Sequence, residues 1–337
     1  MRKYSGALIV LESIRMRTIG RVLAAVLIVA WAAGAAAQNY PSRNVRIICG
    51  FAAGGGSDII ARVVAQKLTE AWGQNVIVDN RVGAAGIIGA DLVAKAPPDG
   101  YTMLVSSQTS TAVAASLYAK LPYDVLKDFT VVTVIGSAPA IVMVHPSLPV
   151  KTFREFVAFA KANQKTLSYG SSGVGSTANL AGELMNQSLG ISIVQVPYKG
   201  ESAAIIDVIS GQLPFTYTTL PTALPLIRSG KVRGLAITSA ERSSLAPEFP
   251  TVAESGVPGY EMTAWNALYA PAALPRDLVV RINADVVKLL ALPDVKERFA
   301  QLGIERVGNS PDAANAYLKS ETARWAKVIK TANLRAE

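Results

Sequence analysis

Two short loops rich in glycine and serine have the residue types and spacing best suited to binding chemistry. They span residues 51–58 and 170–177. Each follows a predicted strand and precedes an amphipathic segment, which predicts a tight loop at the start of a helix. Such a start leaves up to four backbone N–H groups without intrahelical partners, and the peptide dipoles place about half a positive charge there. We therefore interpret both loops as candidate anion sites.

Small residues in both loops would let an anion approach the backbone amides. The first loop has three consecutive glycines at 54–56, and the second has Gly173 and Gly175. Glycines also permit tight turns and close packing, which is the simpler interpretation of either loop alone. Because the pattern occurs twice in matched positions, it favours binding. The hydroxyls that add donors in the second loop are those of Ser171, Ser172, Ser176 and Thr177.

Three enzymatic interpretations of the loops can be tested by spacing. Residues 50–57 have the spacing of a phosphate-binding loop, but Gly56 stands where that loop requires lysine. Residues 173–178 match a dinucleotide fingerprint, yet the next predicted strand ends at Pro197 without the acidic residue that binds a ribose hydroxyl. Neither loop has the Gly-x-Ser-x-Gly pattern of a nucleophile elbow. The spacing therefore favours anion binding over all three kinds of catalysis.

Few side chains remain for catalysis or metal binding. Asp58 lies in the first turn of a predicted helix, where the dipole favours a carboxylate and the side chain can hold the loop. The single histidine, His145, precedes a proline in a turn-like context, and we interpret it as a surface residue. One histidine and one cysteine, Cys49, leave no zinc ligand set and no disulfide framework. We expect neither a metal nor a cofactor.

The elements that position the loops alternate between strands and helices, which predicts a parallel α/β sheet. The strand, loop and helix of residues 45–72 recur at residues 167–189. Two such units predict two similar lobes, with the extended runs 131–145 and 265–270 as crossings between them. A cleft between two lobes of this kind is where small ligands bind.

Local signals predict where several elements start or stop. Residues 152–155 and 251–254 each have the pattern of a capping box, and Ser310 before Pro311 predicts another helix start. Gly136 and Pro139 predict a break in the long apolar run between the two units.

Residues 1–37 predict an export signal. Five basic residues precede the uncharged run 22–37, which falls short of the roughly 20 residues that span a bilayer. The alanines at 35–37 suit a signal peptidase, so we expect cleavage after Ala37 and a periplasmic mature protein. Met16 is an alternative start, and a buried N-terminal helix is the alternative interpretation of the whole segment.

The composition is that of a globular protein. Of 337 residues, 50% are hydrophobic and 17% charged, and the length suggests two domains or one domain with an added lobe. The net charge is +9, but the longest basic cluster is residues 231–233, so nucleic-acid binding is not expected. Removal of residues 1–37 would lower the net charge from +9 to +5, and this mild positive charge favours anionic solutes.

Six ordered segments of the chain carry a family pattern. They read IICGFAAGGGSDIIARVVAQKL, VDNRVGAAGIIGADLVAKAPPDGYTMLV, LPYDVLKDF, LSYGSSGVGSTANLAGEL, VPYKG and PTVAESGVPGYEMTAWNALYAPAALP. Over residues 40–337 the chain resembles the solute receptors of tripartite tricarboxylate transporters, often called the Bug family. The resemblance implies a two-lobed α/β periplasmic binding protein of type II, or Venus-flytrap type. Such a monomer closes on a small carboxylate and delivers it to membrane permease subunits.

The resemblance also implies lobe boundaries and ligand contacts. Residues 38–138 and 266–337 would form the first lobe, and residues 139–265 the second. Backbone amides and hydroxyls of the two loops would hold the ligand, and the segments 106–116 and 216–219 would line the cleft. The implied ligand-binding residues are Phe51, Ala53, Gly54, Gly55, Gly56, Ser57, Asp58, Ser107, Gly170, Ser171, Ser172, Gly175, Ser176, Thr177, Tyr198 and Thr218.

Departures from the family pattern concern the ligand. Cys49 and Ala53 stand where members commonly have proline, and Asn179 stands where a histidine is common. Two alternatives stay open at this point. The chain could be an exported enzyme that acts on a carboxylated metabolite with Asp58 or His145 as base, or a receptor that serves a membrane sensor kinase.

Overall fold

The computed structural model describes residues 40–198 and 200–336. The predicted export signal and its cleavage after Ala37 lie outside the described residues. Among those described, none of the helices combines the length and apolar character needed to cross a bilayer. Residues from Val45 onward form one compact unit.

The first half of this unit is an α/β arrangement built around strand β1. β1 pairs in parallel with β2 on one side and β3 on the other, and buried Ile60, Val64 and Leu68 lie on one face of α1. Gly73 ends α1 in the left-handed conformation, as its position predicted. The elements are β1 (Val45–Cys49), α1 (Gly56–Trp72), β2 (Val76–Asn80), α2 (Ile87–Ala94), β3 (Thr102–Ser107), α3 (Ala114–Leu117) and β4 (Phe129–Val144).

The second half repeats this arrangement around strand β5. β5 pairs in parallel with β6 and with β7, as β1 does with β2 and β3. The predicted recurrence of the strand–loop–helix unit is therefore confirmed. The elements are α4 (Phe153–Asn163), β5 (Ser168–Ser171), α5 (Thr177–Leu189), β6 (Val194–Pro197), α6 (Glu201–Ser210), β7 (Phe215–Thr219), α7 (Leu220–Arg228) and β8 (Arg233–Ile237).

Two antiparallel strands, β4 and β9 (Thr263–Pro271), join the halves in the strand order β2-β1-β3-β9-β4-β7-β5-β6. The prediction of a parallel sheet is wrong for these strands, because β4 runs antiparallel to β7, β8 and β9. The predicted break in β4 is also wrong. Register shifts before Gly136 adapt the strand there, and Pro139 lies where the partner changes from β9 to β7, so its missing N–H is tolerated.

Helices of the C-terminal segment pack back onto the first half. They are α8 (Arg276–Leu290), α9 (Pro293–Gln301) and α10 (Pro311–Thr331), with the short strand β10 (Glu305–Arg306) against β4. The buried carboxylate of Glu321 in α10 accepts hydrogen bonds from Trp265 Nε1 at 3.1 Å and Trp325 Nε1 at 3.2 Å. This carboxylate links α10 to β9.

The two predicted capping boxes differ in outcome. At residues 152–155 the reciprocal bonds form and α4 follows, which confirms that helix start. At residues 251–254 both bonds also form, each at 3.0 Å, but a turn follows instead of a helix. Val252 donates to the carbonyl of Ile237 and Gly256 has a positive φ, so the chain turns back toward β8.

Candidate functional site

The first glycine loop leaves the start of α1 open. The helix begins at Gly56, whereas the sequence pattern predicts a start near Ile59, and within the described residues no side chain caps it. The amide of Gly54 donates to Asp58 at 2.8 Å, and the amide of Gly55 donates to the carbonyl of Ala52 at 3.1 Å. The N–H groups of Gly56 and Ser57 belong to the first helical turn and are the donors left for a ligand.

Asp58 holds this loop in shape. Its side chain is 1% exposed, and its oxygens accept from Gly54, from Arg62 Nε at 2.9 Å and from Asn80 Nδ2 at 2.8 Å. Burial pushes the pKa of this carboxyl upward, but the hydrogen bonds from Arg62, Gly54 and Asn80 outweigh burial and lower the pKa. Asp58 is therefore an ionised anchor for the amide of Gly54.

The second loop is fixed by a chain of side-chain hydrogen bonds. The amide of Gly175 donates to Asn179 Oδ1 at 2.9 Å, and Asn179 Nδ2 donates to Gln195 Oε1 at 2.8 Å. Gln195 in turn donates to the hydroxyl of Ser171. Ser176 caps α5 by accepting from the amide of Asn179 at 3.3 Å. This series of hydrogen bonds connects the start of α5 with β5 and β6.

The two loops share one local geometry. In each, the third helical residue accepts the amide of the glycine that precedes the N-cap, Gly54 to Asp58 and Gly175 to Asn179. The first acceptor is a carboxylate and the second is a neutral carboxamide. Similar loops are thus held by groups of different charge.

Both loops border one cavity of about 430 Å³, within the size range of small-molecule sites. The first loop contributes Gly55, Gly56 and Ser57, and Thr177 comes from the start of α5. The arrangement therefore brings backbone donors from α1 and a hydroxyl from α5 to the same opening.

The predicted ligand-binding residues divide into two sets. One set lines the cavity and the other does not. Gly170 is in the second set. A Cβ there would lie 2.6 Å from Leu213, so this glycine permits close packing. Those that line the cavity are Phe51, Gly55, Gly56, Ser57, Ser107 and Thr177. Those not among the lining residues are Ala53, Gly54, Asp58, Gly170, Ser171, Ser172, Gly175, Ser176, Tyr198 and Thr218.

Sequence reasoning missed four polar residues of the cavity, which are Ser137, Glu201, Thr222 and Asn266. Asn266 of β9 lines it and accepts from the hydroxyl of Ser57 at 2.6 Å. The available signal for Asn266 was its polar side chain within an otherwise apolar run that begins at Trp265. Glu201, the first residue of α6, also lines the cavity and had no distinctive signal. Gln108 and Thr109 lie within the segment 106–116, which was expected to line the cleft.

The charges around the cavity limit how it can bind an anion. Among its lining residues within the described chain, Glu201 carries a charge and no lysine or arginine is present. Neither residue proposed as a catalytic base, Asp58 or His145, belongs to the described lining. Backbone amides, hydroxyls and carboxamides are therefore the groups available to bind a ligand.

Comparison with known proteins identifies the family. The family model described as "Tripartite tricarboxylate transporter family receptor" matches residues 60–334. The chain belongs to this receptor family. It is a family of solute-binding receptors, and the α/β fold described above matches their solved structures.

Relatives within the receptor family cover most of the chain. Protein BugT of Bordetella pertussis is 36% identical over 300 residues, 89% of this chain and 92% of BugT. Rpa4515 of R. palustris, solved with adipate, is 37% identical with a TM-score of 0.77 and covers 88% of this chain and 99% of its own. MatC from Rhodopseudomonas palustris, solved with bound malate, is 31% identical with a TM-score of 0.73 and covers 86% of this chain and 100% of its own.

Proposed function

We propose that this receptor captures a small carboxylate in the cavity and delivers it to the membrane permease subunits of a tripartite tricarboxylate transporter. The observation that carries the proposal is the shared cavity, which Gly55, Gly56 and Ser57 of one loop border together with Thr177 of the other. Adipate and malate, present in the structures of two relatives, are both carboxylates.

A carboxylate would take its hydrogen bonds from the start of α1. The N–H groups of Gly56 and Ser57 lie in the first helical turn, where the dipole favours negative charge. The hydroxyl of Thr177 and the NH₂ group of Asn266 add donors from α5 and β9. Binding therefore needs neither a metal nor a basic side chain from the described lining.

The free energy of ligand binding requires contacts from both loops. A charge-assisted hydrogen bond contributes about 1.5–3 kcal/mol net, so one loop with one or two such bonds provides roughly 3–5 kcal/mol before ordering costs. Micromolar affinity corresponds to about 8 kcal/mol. Donors from both α1 and α5 must therefore act on one molecule with water excluded.

Closure of two lobes would bring the donors of α1 and α5 onto one ligand and exclude water from it. We assign residues 38–138 and 266–337 to one lobe and 139–265 to the other. The lobe boundary in β4 falls beside Pro139 and Ala140, where the strand changes partner from β9 to β7. A hinge at this point would let the two loops separate to admit the ligand and approach to hold it.

Calorimetric titration with a panel of mono-, di- and tricarboxylates tests the function. We expect micromolar binding of at least one member, together with compaction in small-angle scattering when that ligand is added. Absence of binding across the panel, in protein freed of co-purified ligand, would contradict the proposed function. Binding without compaction would contradict only the closure.

Export is the remaining part of the proposal. The signal at residues 1–37 would direct the chain to the periplasm, where a receptor for a membrane permease must act. N-terminal sequencing of protein from the periplasmic fraction should begin at Gln38. Retention of the full N-terminus there would contradict cleavage after Ala37.

A further inference from the structure

The cavity contains a carboxylate of the protein itself. Glu201 is the first residue of α6, is half-buried and lines the cavity. Its Oε1 accepts from the hydroxyl of Thr218 and from the amide of Thr219 at 3.3 Å. Among the described residues the structure gives Oε2 no hydrogen-bond donor, so this oxygen is available to a ligand.

A second acceptor in the cavity also lacks a donor. Gln108 is 2% exposed and lines the cavity, and its Oε1 has no hydrogen-bond partner in the described part of the chain. Its Nε2 donates, within the described residues, to the sulfur of Met262 alone, at 4.0 Å. A buried polar atom left unpaired costs stability, so this carboxamide is a group that a bound molecule would satisfy.

Glu201 and Gln108 offer hydrogen-bond acceptors, whereas a second carboxylate on the ligand would need donors. The donors at the start of α1 suit one anionic group, whereas Glu201 offers negative charge. A second ionised carboxylate close to Glu201 would place two like charges in a partly buried cavity, where their repulsion is poorly screened. A hydroxyl or ammonium group would instead donate to Glu201 and Gln108.

Resting on the proposed function, we propose that the ligand is a carboxylate that also bears a hydrogen-bond donor, a hydroxyl or an ammonium group, accepted by Glu201. Glu201 then selects such ligands over dicarboxylates of the same length. The favourable location of a carboxylate in the first turn of α6 would explain a purely structural glutamate equally well. Only the selective role predicts that removal of the charge changes ligand preference.

The test compares matched ligands by titration calorimetry. One set is adipate, 6-hydroxyhexanoate and 6-aminohexanoate, and the other is succinate, 4-hydroxybutyrate and 4-aminobutyrate. In the set that fits the cavity, we expect the wild type to prefer a donor-bearing ligand over the dicarboxylate by about tenfold or more. Glu201→Gln keeps an oxygen for Thr219 and removes the charge. It should strengthen dicarboxylate binding by about tenfold, which reduces or reverses the preference.

Glu241→Gln is the matched control, since Glu241 is exposed and is not among the cavity-lining residues. It should leave the preference unchanged. Equal or tighter binding of dicarboxylates by the wild type, or a preference that Glu201→Gln does not alter, would overturn this inference and leave carboxylate capture intact. Failure of the wild type to bind any carboxylate would overturn the proposed function and this inference together. Thermal unfolding of each variant verifies that it is folded.

Discussion

The hydroxyl of Ser57 donates a hydrogen bond to the side-chain oxygen of Asn266 at 2.6 Å, across 209 residues of sequence. The bond joins the first turn of α1 to β9 at the wall of the cavity. Because it occupies the oxygen of the carboxamide, it leaves the NH₂ group of Asn266 to donate to a ligand. It therefore sets the orientation of Asn266 for anion binding.

Ser57→Ala should weaken carboxylate binding while the fold persists. Loss of one hydrogen bond that orients Asn266 corresponds to about 1 kcal/mol, or roughly fivefold in affinity. Calorimetric titration measures the change. Ser188→Ala is the control, because Ser188 bonds to the backbone of its own helix, α5. An affinity equal to that of the wild type would show that the Ser57–Asn266 bond does not support binding.

Gly56→Val should abolish binding and preserve the fold. A Cβ at Gly56 would meet no atom within 4 Å, so the backbone can accept a side chain, yet the residue lines the cavity. The added methyl groups would cover the amides at the start of α1. Ala71→Val, an exposed position at the other end of α1, is the matched control. Ligand-induced thermal stabilisation should disappear in Gly56→Val alone, and its persistence there would count against this anion site.

Local signals explain which elements the sequence predicted well. α5 spans Thr177–Leu189 as expected, because a serine caps its start and Gly190 ends it. The start of α1 was placed too late because glycine and serine at its first positions have low helix propensity. There Asp58 holds the helix start by accepting hydrogen bonds from nearby Gly54 and Arg62 and from the distant Asn80.

The cavity could be predicted only in part. Its backbone donors follow from local sequence, since glycines before a helix carry their own signal. Asn266 and Glu201 reach it only because β9 and α6 fold beside the loops, and no local pattern encodes that contact. The ligand contacts of all the predicted site residues, inside and outside the cavity lining, stay predictions.

Asp58→Asn should lower thermal stability in a pH-dependent way. The pKa of Asp58 lies below its ordinary value of 3.8 in the folded protein, so the ionised form stabilises the fold. This stability is complete above the unfolded pKa and is lost as the pH falls through the folded pKa. The melting temperature of Asp58→Asn should be several degrees lower than that of the wild type from neutral pH to about pH 4. The difference between the two melting temperatures should narrow only below that pH. A difference that stays constant in acid would contradict the lowered pKa of Asp58.

Glu321→Ala should destabilise the protein strongly without altering the cavity. The side chain is 5% exposed and accepts from both Trp265 and Trp325, as well as from Arg324 at 3.0 Å. Its removal leaves two buried indole N–H groups unpaired, at a cost of about 3 kcal/mol in the free energy of unfolding. Denaturant unfolding measures this, with the exposed Glu297→Ala as control. A loss below about 1 kcal/mol would mean that α10 is held to β9 by packing alone.

Asn179→Ala should impair the second loop in both stability and binding. Asn179 is fully buried, and its removal leaves the amide of Gly175 and the side-chain oxygen of Gln195 without these partners. An unpaired buried amide such as that of Gly175 costs about 1–3 kcal/mol, so the melting temperature should fall by several degrees. Because Thr177 lies in the same helical turn and lines the cavity, carboxylate affinity should fall as well. Asn163→Ala, which removes one bond to the backbone at the end of α4, is the control for stability. If Asn179→Ala melted at a lower temperature but bound a carboxylate as tightly as the wild type, the second loop would not belong to the binding site.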